Sequence, residues 1–189
     1  MPMALKSTIY KAQLQIADMD RGLYADHALT LARHPSETEE RLMARLLAFA
    51  LQTPADDRDG ALLAARGLSD TDEPDLWQHA LDGTLRHWIE VGQPDERRLA
   101  RACGRAGRVS VYAYGPQAGV WWAGLGERIA RQPRLFAWRL PAAQSQALAA
   151  LAARSMLLQV NVQDGQVWVQ QGERGVEVTP LALSAAAGS

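Results

Sequence analysis

Asp75 and Glu90 are the acids whose setting in this chain best suits chemistry. Asp75 follows Pro74, and Glu90 lies fifteen residues later inside the apolar run Trp88-Ile89-Glu90-Val91. Burying a carboxylate costs several kcal/mol unless a partner or a cation compensates it. If the pieces "PDLW" and "TLRHWIEVG" are neighbouring strands joined by the turn in "QHALDGT", both acids reach one edge of a sheet. A third acid comes from the segment "HPSETEERLMARLLAFALQ": at about 100° per residue Glu39 falls on the side of Leu42 and Leu46, with Glu40 at the edge of that stripe. Carboxylates converging from separate elements suit a hard cation. Mg2+ (or Mn2+) takes oxygen ligands, keeps several waters and uses one or two carboxylates with substrate phosphates. Such an ion activates water and stabilises a departing oxygen in phosphoryl transfer. The expected metal ligands are therefore Asp75, Glu90 and one of Glu39 and Glu40.

Each acid also has a structural reading. An aspartate after proline serves as a turn or cap residue. Residues 88, 90 and 92 share one face of a strand, so an edge strand with a wet face accounts for Glu90 equally. Ser36 with Glu39 forms a capping box, which gives Glu39 a local role.

Arginines follow the acids. Arg97, Arg98, Arg101, Arg105 and Arg108 put five positive charges within residues 97–108. Their spacing makes a basic stripe opposite the apolar face of a helix. Such a stripe tracks a phosphate backbone or decorates an ordinary solvated surface. Arg97, Arg98 and Arg101 are the expected phosphate contacts. Trp77 and Trp88 flank the acids and are placed to stack on a base. His27, His34, His79 and His87 show no HExxH spacing, Ser36 and Ser155 lack histidine–acid partners, and Cys103 reads as packing. Gly104 and Gly107 read as helix terminators, and no GxxxxGK[ST] or GxGxxG occurs.

The elements that must position these residues follow from periodicity. Residues 5–16, Leu5 included, alternate apolar and polar, as does "LYADHALTLARH" after the turn "ADMDRG", which predicts a hairpin. Helical spacing runs over "HPSETEERLMARLLAFALQ", "QPDERRLARACGRAGR", "QAGVWWAGLGERIARQ" and "PAAQSQALAALAARSM". "VSVYAYG" and "RLFAWRL" read as strands, and Asp164-Gly165 marks a hairpin in the closing strands. Residues 53–73 look like a long irregular excursion. Residues 56–75 hold seven acidic and two basic side chains. The expected class is α/β or α+β: a mixed central sheet flanked by helices, extended or covered by hairpins at both ends.

The chain has 189 residues, 48% hydrophobic and 22% charged, with a net charge of −1 and one cysteine. This is enough for one domain, expected over residues 1–182 with 183–189 as a disordered tail. A single cysteine excludes a disulfide framework. The start lacks a signal-peptide core, and no run reaches the ~18 apolar residues of a membrane span. A cytoplasmic protein that avoids membranes is expected.

The pattern Pro74-Asp75 … Trp88-Ile89-Glu90-Val91-Gly92-Gln93 resembles the PD-(D/E)xK nuclease core, in which a helix, a hairpin, a second helix and a strand frame the acids. Over nearly its full length the chain is similar to the YaeQ family, carried by "IYKAQLQIADMDR", "ADHALTLARHPSETEERLMARLLAFAL", "GLSDTDEPDLW", "WIEVGQPDERRLARACGRA" and "LQVNVQDGQVWV". The resemblance implies a nuclease-like fold and a Mg2+-dependent phosphodiester hydrolase, with Asp75, Glu90 and Gln93 catalytic. Gly92 departs from the pattern, standing where the motif has lysine. Gln93 would then position the attacking water, and Arg97 or Arg98 would replace the lysine's charge. The alternative is a nuclease-like scaffold that no longer cleaves and binds DNA, RNA or a protein partner, with the acidic excursion as one contact.

Overall fold

In the computed structural model, residues 6–189 are described, so Leu5 lies outside them. The alternating N-terminal segments form β1 (Thr8–Asp18) and β2 (Leu23–Arg33), paired antiparallel from Thr8↔Arg33 to Asp18↔Leu23. Every second residue of β1 from Tyr10 onward is buried. The other face stays in solvent, as expected of a sheet covered on one side. The C-terminal strands β8 (Ser155–Gln163), β9 (Gln166–Gln171) and β10 (Arg174–Val178) complete this sheet in the order β10-β9-β8-β1-β2. Asp164 and Gly165 both have positive φ (54° and 73°), which closes the β8–β9 hairpin as the Asp-Gly pair predicts.

The second sheet has six strands in the order β11-β7-β6-β5-β4-β3. These are β3 (Leu62–Ala64), β4 (Leu76–His79), β5 (Leu85–Val91), β6 (Arg108–Tyr114), β7 (Leu135–Leu140) and β11 (Leu181–Ala182). β3, β4 and β5 are antiparallel neighbours, while β5, β6 and β7 run parallel. The terminal hairpins therefore neither extend nor cap the central sheet. They build a sheet of their own, because β1 finds a parallel partner in β8.

Helix α1 (Glu39–Gln52) lies between the two sheets. Residues Leu42 to Ala50 are all buried, Arg45 among them, because both sides of the helix are covered. α5 (Ala142–Ala149) packs beside it in the same layer. The far face of the six-stranded sheet is covered by α2 (Glu96–Arg105) and α4 (Glu127–Ala130), with Trp88, Leu99, Cys103, Val109 and Ile129 in a second core. The expected single helix over 117–132 breaks into α3 (Ala118–Ala123) and α4 at Gly124 and Gly126. The result is a mixed α+β protein of two mixed sheets and helical layers. Among the described residues no helix is long and apolar enough to cross a membrane.

Three expectations change. The N-cap of α1 is Thr38, whose hydroxyl accepts from the Arg41 N–H at 3.1 Å, whereas Ser36 is taken by the His34 Nδ1 at 2.6 Å. Ser36 and Glu39 therefore form no capping box. The 53–73 excursion contains β3 and a 3₁₀ turn, Gly67–Ser69. The expected disordered tail packs instead: the Ala137 N–H donates to Ser184 Oγ at 3.0 Å and Ser184 is buried.

Candidate functional site

The β4–β5 hairpin does bring the two acids together. The ladder pairs Leu76 with Ile89, and the Asp75 N–H donates to the Ile89 carbonyl at 3.1 Å. One residue further the strands part, and the Asp75 carboxylate takes over: its Oδ2 accepts from the Val91 N–H at 2.9 Å. Both acids line an open cavity of about 510 Å³ with Arg41, Gln93, Arg98 and Tyr114. Asp75 and Glu90 are 2% and 4% exposed, so neither sits on a wet face. Gly67 seals one wall closely, since a Cβ there would lie 2.6 Å from Asp75 Oδ1.

Every charged side chain of this cavity has a partner, and one carboxylate oxygen is left over. Arg41 donates to Asp75 Oδ1 at 2.8 Å and to Glu37 Oε2 at 2.6 Å, and Arg45 reaches Glu37 Oε1 at 2.7 Å. Burial works against the Arg41 charge, yet Asp75 and Glu37 outweigh it and hold its pKa above the ordinary arginine value. Glu90 Oε1 accepts from Arg98 Nε. Glu90 Oε2 is buried and has no hydrogen-bond partner. The Trp88 indole on the same face acts on the Glu90 charge but meets no hydrogen-bond geometry. Burial pushes the Glu90 carboxyl above the usual carboxylate range, Arg98 opposes this, and the Asp75 charge adds to it.

This raised pKa has a consequence for stability. A carboxyl whose folded pKa lies above its unfolded value favours the folded state fully below the unfolded pKa, and that contribution is lost as pH rises through the folded pKa. Glu90→Gln is therefore expected to gain stability relative to the parent at pH 7–8 and to lose this advantage near pH 4. A change of about 1 kcal/mol moves the midpoint of a chain of this size by roughly 2–4 °C. Thermal melts of both proteins across pH check it, and a gap that does not vary with pH refutes it.

Glu39 and Glu40 stand elsewhere. Glu39 is exposed and accepts from the Tyr10 hydroxyl at 3.4 Å, and Glu40 accepts from Ser145 Oγ at 3.2 Å. The side of α1 shared with Leu42 is therefore exposed at Glu39, in the first turn. Neither lines the cavity with Asp75 and Glu90. Among the described residues no group of three or more His, Cys, Asp or Glu is arranged to hold a metal ion. The acid that joins Asp75 from this segment is Glu37, through Arg41. Arg41 and Arg45, four residues apart inside an apolar run, were the signal for it.

Gln93 is exposed, and its Nε2 donates to the Tyr114 carbonyl at 2.8 Å. Gly92 has φ 102° and its N–H donates to the Tyr112 carbonyl at 2.9 Å. A side chain would meet open space there, but not a backbone it can adopt. Gly92→Lys, which restores the motif residue, is expected to lose about 1–3 kcal/mol to backbone strain. Denaturant unfolding measures this, and an unchanged midpoint refutes it.

The arginine stripe is occupied by the chain's own acidic excursion. Arg98 donates to the Thr71 and Glu73 carbonyls at 2.5 and 2.9 Å, Arg101 pairs with Asp72 at 3.3 Å, and Arg105 donates to the Asp72 carbonyl at 3.3 Å. Arg97 is exposed. Trp88 is buried under Arg98 and Arg105 and is not free to stack on a base, whereas Trp77 is half-buried.

The comparisons with known proteins agree with one another. The family model described as YaeQ protein matches residues 3–180. The chain is 44% identical over 177 residues to the uncharacterized protein YaeQ of Salmonella typhi, covering 93% of this chain and 95% of that one. It is 42% identical over 181 residues to the YaeQ protein of Escherichia coli K12, covering 95% and 97%. Among solved structures, the YaeQ protein from Xanthomonas axonopodis pv. citri superposes with a TM-score of 0.87 at 47% identity, covering 95% of this chain and 99% of the other. That from Pseudomonas syringae gives 0.84 at 38% identity, covering 95% and 97%. With a family match over residues 3–180 and a structural likeness over 95% of its length, the chain belongs to the YaeQ family.

Proposed function

We propose that the Asp75–Glu90 cavity is a phosphodiester-hydrolysing site of the PD-(D/E)xK kind that works with Mg2+ or Mn2+. The observation that carries this is Glu90, which lines the cavity beside a second carboxylate and whose Oε2 is buried with no hydrogen-bond partner. A buried carboxylate oxygen left without a partner is unfavourable even when the other oxygen is ion-paired, and a cation is a partner that relieves it. Two carboxylates with room for waters and a phosphate fit magnesium's habit, and the lone pairs left on Asp75 fit the second ligand. The order α1, the β4–β5 hairpin, α2, β6 supports the reading, since a helix, hairpin, helix and strand frame the acids in the superfamily the sequence resembles.

A bound ion would supply a water of lowered pKa and stabilise the leaving oxygen. The chain's own residues do the rest. Asp75 is fixed by Arg41 and the Val91 N–H, so its orientation is set before substrate arrives. With its Nε2 held by Tyr114, Gln93 keeps its amide oxygen to accept from a water. Arg98 brings positive charge beside Glu90 in place of the lysine, through space, because its nitrogens stay on Glu90, Thr71 and Glu73.

A second reading is favoured by Gly92 and by the two arginines already set against the acids: a nuclease-like module that binds nucleic acid or a protein without cleaving. Parent and Glu90→Gln proteins, titrated with Mn2+ by calorimetry and incubated with single- and double-stranded DNA and RNA, separate the two. Ion binding and cleavage by the parent, both lost in the variant, support hydrolysis. Salt-dependent binding that ignores chelator and leaves the strand intact supports the module. No ion binding and no cleavage by a folded parent overturns the hydrolytic reading.

A further inference from the structure

At the opposite end of the same sheet lies a second cavity that neither the acids nor the family resemblance uses. The parallel strands β5, β6 and β7 all begin there, at Leu85, Arg108 and Leu135. The cavity measures about 630 Å³, and Arg86, Arg105, Arg108 and Arg134 line it from three separate stretches of chain, with Asp82 as the one acid of the lining. Arg86 and Glu90 are four residues apart in β5, so this end stands about 13 Å from the acidic cavity at the rise of a strand.

The four guanidinium groups are poorly neutralised. Arg86 meets only Asp59, an exposed acid at 3.6 Å. Among the described residues Arg105, Arg108 and Arg134 form no ion pair: Arg105 reaches the Asp72 carbonyl at 3.3 Å, and Arg134 the carbonyls of Cys103 and Ala106 at 3.3 and 3.5 Å. Arg108 lies over the Phe136 ring at 3.9 Å, and its Nε is buried without a partner. Asp82 turns back to its own loop, accepting from the Thr84 N–H at 3.0 Å. Like charges gathered in one concavity repel one another unless an anion joins them.

Guanidinium groups on different elements suit an oxyanion that accepts several forked hydrogen bonds at once, and phosphate meets that need. The volume lies in the range of small-ligand pockets and exceeds what a bare phosphate fills. We propose that this cavity binds the phosphate of a nucleotide or of a polynucleotide strand, with Arg86, Arg105 and Arg134 as its donors. The site stands apart from the hydrolytic reading and does not depend on it.

The test uses binding alone. Uniformly 15N-labelled protein is titrated with inorganic pyrophosphate, following the arginine Nε–H resonances, beside two variants that each lose two charges. Arg86→Gln/Arg105→Gln removes two solvent-reaching arginines of the cavity, and Arg128→Gln/Arg131→Gln removes two from α4 and the turn after it. Saturable shifts in the parent, weakened tenfold or more in the cavity variant and kept in the control, are the expected result. A ten-nucleotide single strand that displaces pyrophosphate at a tenth of its concentration assigns the phosphate to a polynucleotide, and one that does not assigns it to a free nucleotide. No saturable shift, or equal weakening in both variants, overturns the proposal.

Discussion

Arg41→Ala is expected to destabilise the protein by about 3–5 kcal/mol, the range for removing one partner of a buried ion pair. Among the described residues Arg41 is the only cation that touches both Glu37 and Asp75, whose side chains are 1% and 2% exposed. Glu37 keeps Arg45 after the substitution, but Asp75 keeps only the Val91 N–H. The charge left on Asp75 then faces low-dielectric surroundings without compensation. Chemical denaturation gives the loss directly. The control is Arg41→Ala in an Asp75→Asn background, where the penalty should shrink by more than half because the stranded charge is gone. Full additivity of the two changes would show that Arg41 matters through packing instead. The same bridge ties stability to the cavity: the residue that orients Asp75 also holds the start of α1 against β4.

Leu42→Ala should cost a comparable 2–5 kcal/mol, for a different reason. Leu42 is wholly buried, beside Arg41 on a helix packed between two sheets. A helix on a protein's outside can sink towards the core when a side chain is shortened, and so recover part of the loss. α1 has a sheet on either side and no such freedom, so the vacated volume stays and adds its own term to the lost burial. Urea unfolding of the variant checks this. A loss below about 1 kcal/mol would mean the sheets close on the gap, contrary to the packing argued above.

How much of this was legible in the sequence depends on whether a feature is local. The β1–β2 alternation, the helical period of α1 and the Asp164-Gly165 turn are properties of neighbouring residues, and they are found where the period puts them. The meeting of Asp75 and Glu90 also follows from one hairpin register. Arg41 and Arg45 hinted at a buried acid near Glu37, but its alliance with Asp75 was not legible, because Arg41 joins the two across 34 residues of chain. Nor was the loss of Ser36 as a cap, which is decided by the His34 ring. The basic stripe was legible as a stripe, but not its engagement with residues 71–73, for that contact joins segments some thirty residues apart. The separate five-stranded sheet had no sequence signal at all, since β1 and β8 pair across most of the chain.

That last pairing bears on how the protein is made. Lys11 pairs with Ser155 and Asp18 with Val162, so β1 waits for a strand that follows it by 144 residues. While a ribosome is still at work, the β1–β2 hairpin holds out an apolar face, and α1 has a partner on one side at most. A two-stranded hairpin alone is marginal in water. Non-local pairing of this kind slows folding and leaves strand edges exposed to other chains. The nascent protein should therefore need holding by a chaperone until β8 emerges, and a chain stalled before residue 155 should be a substrate for proteases rather than a smaller folded protein.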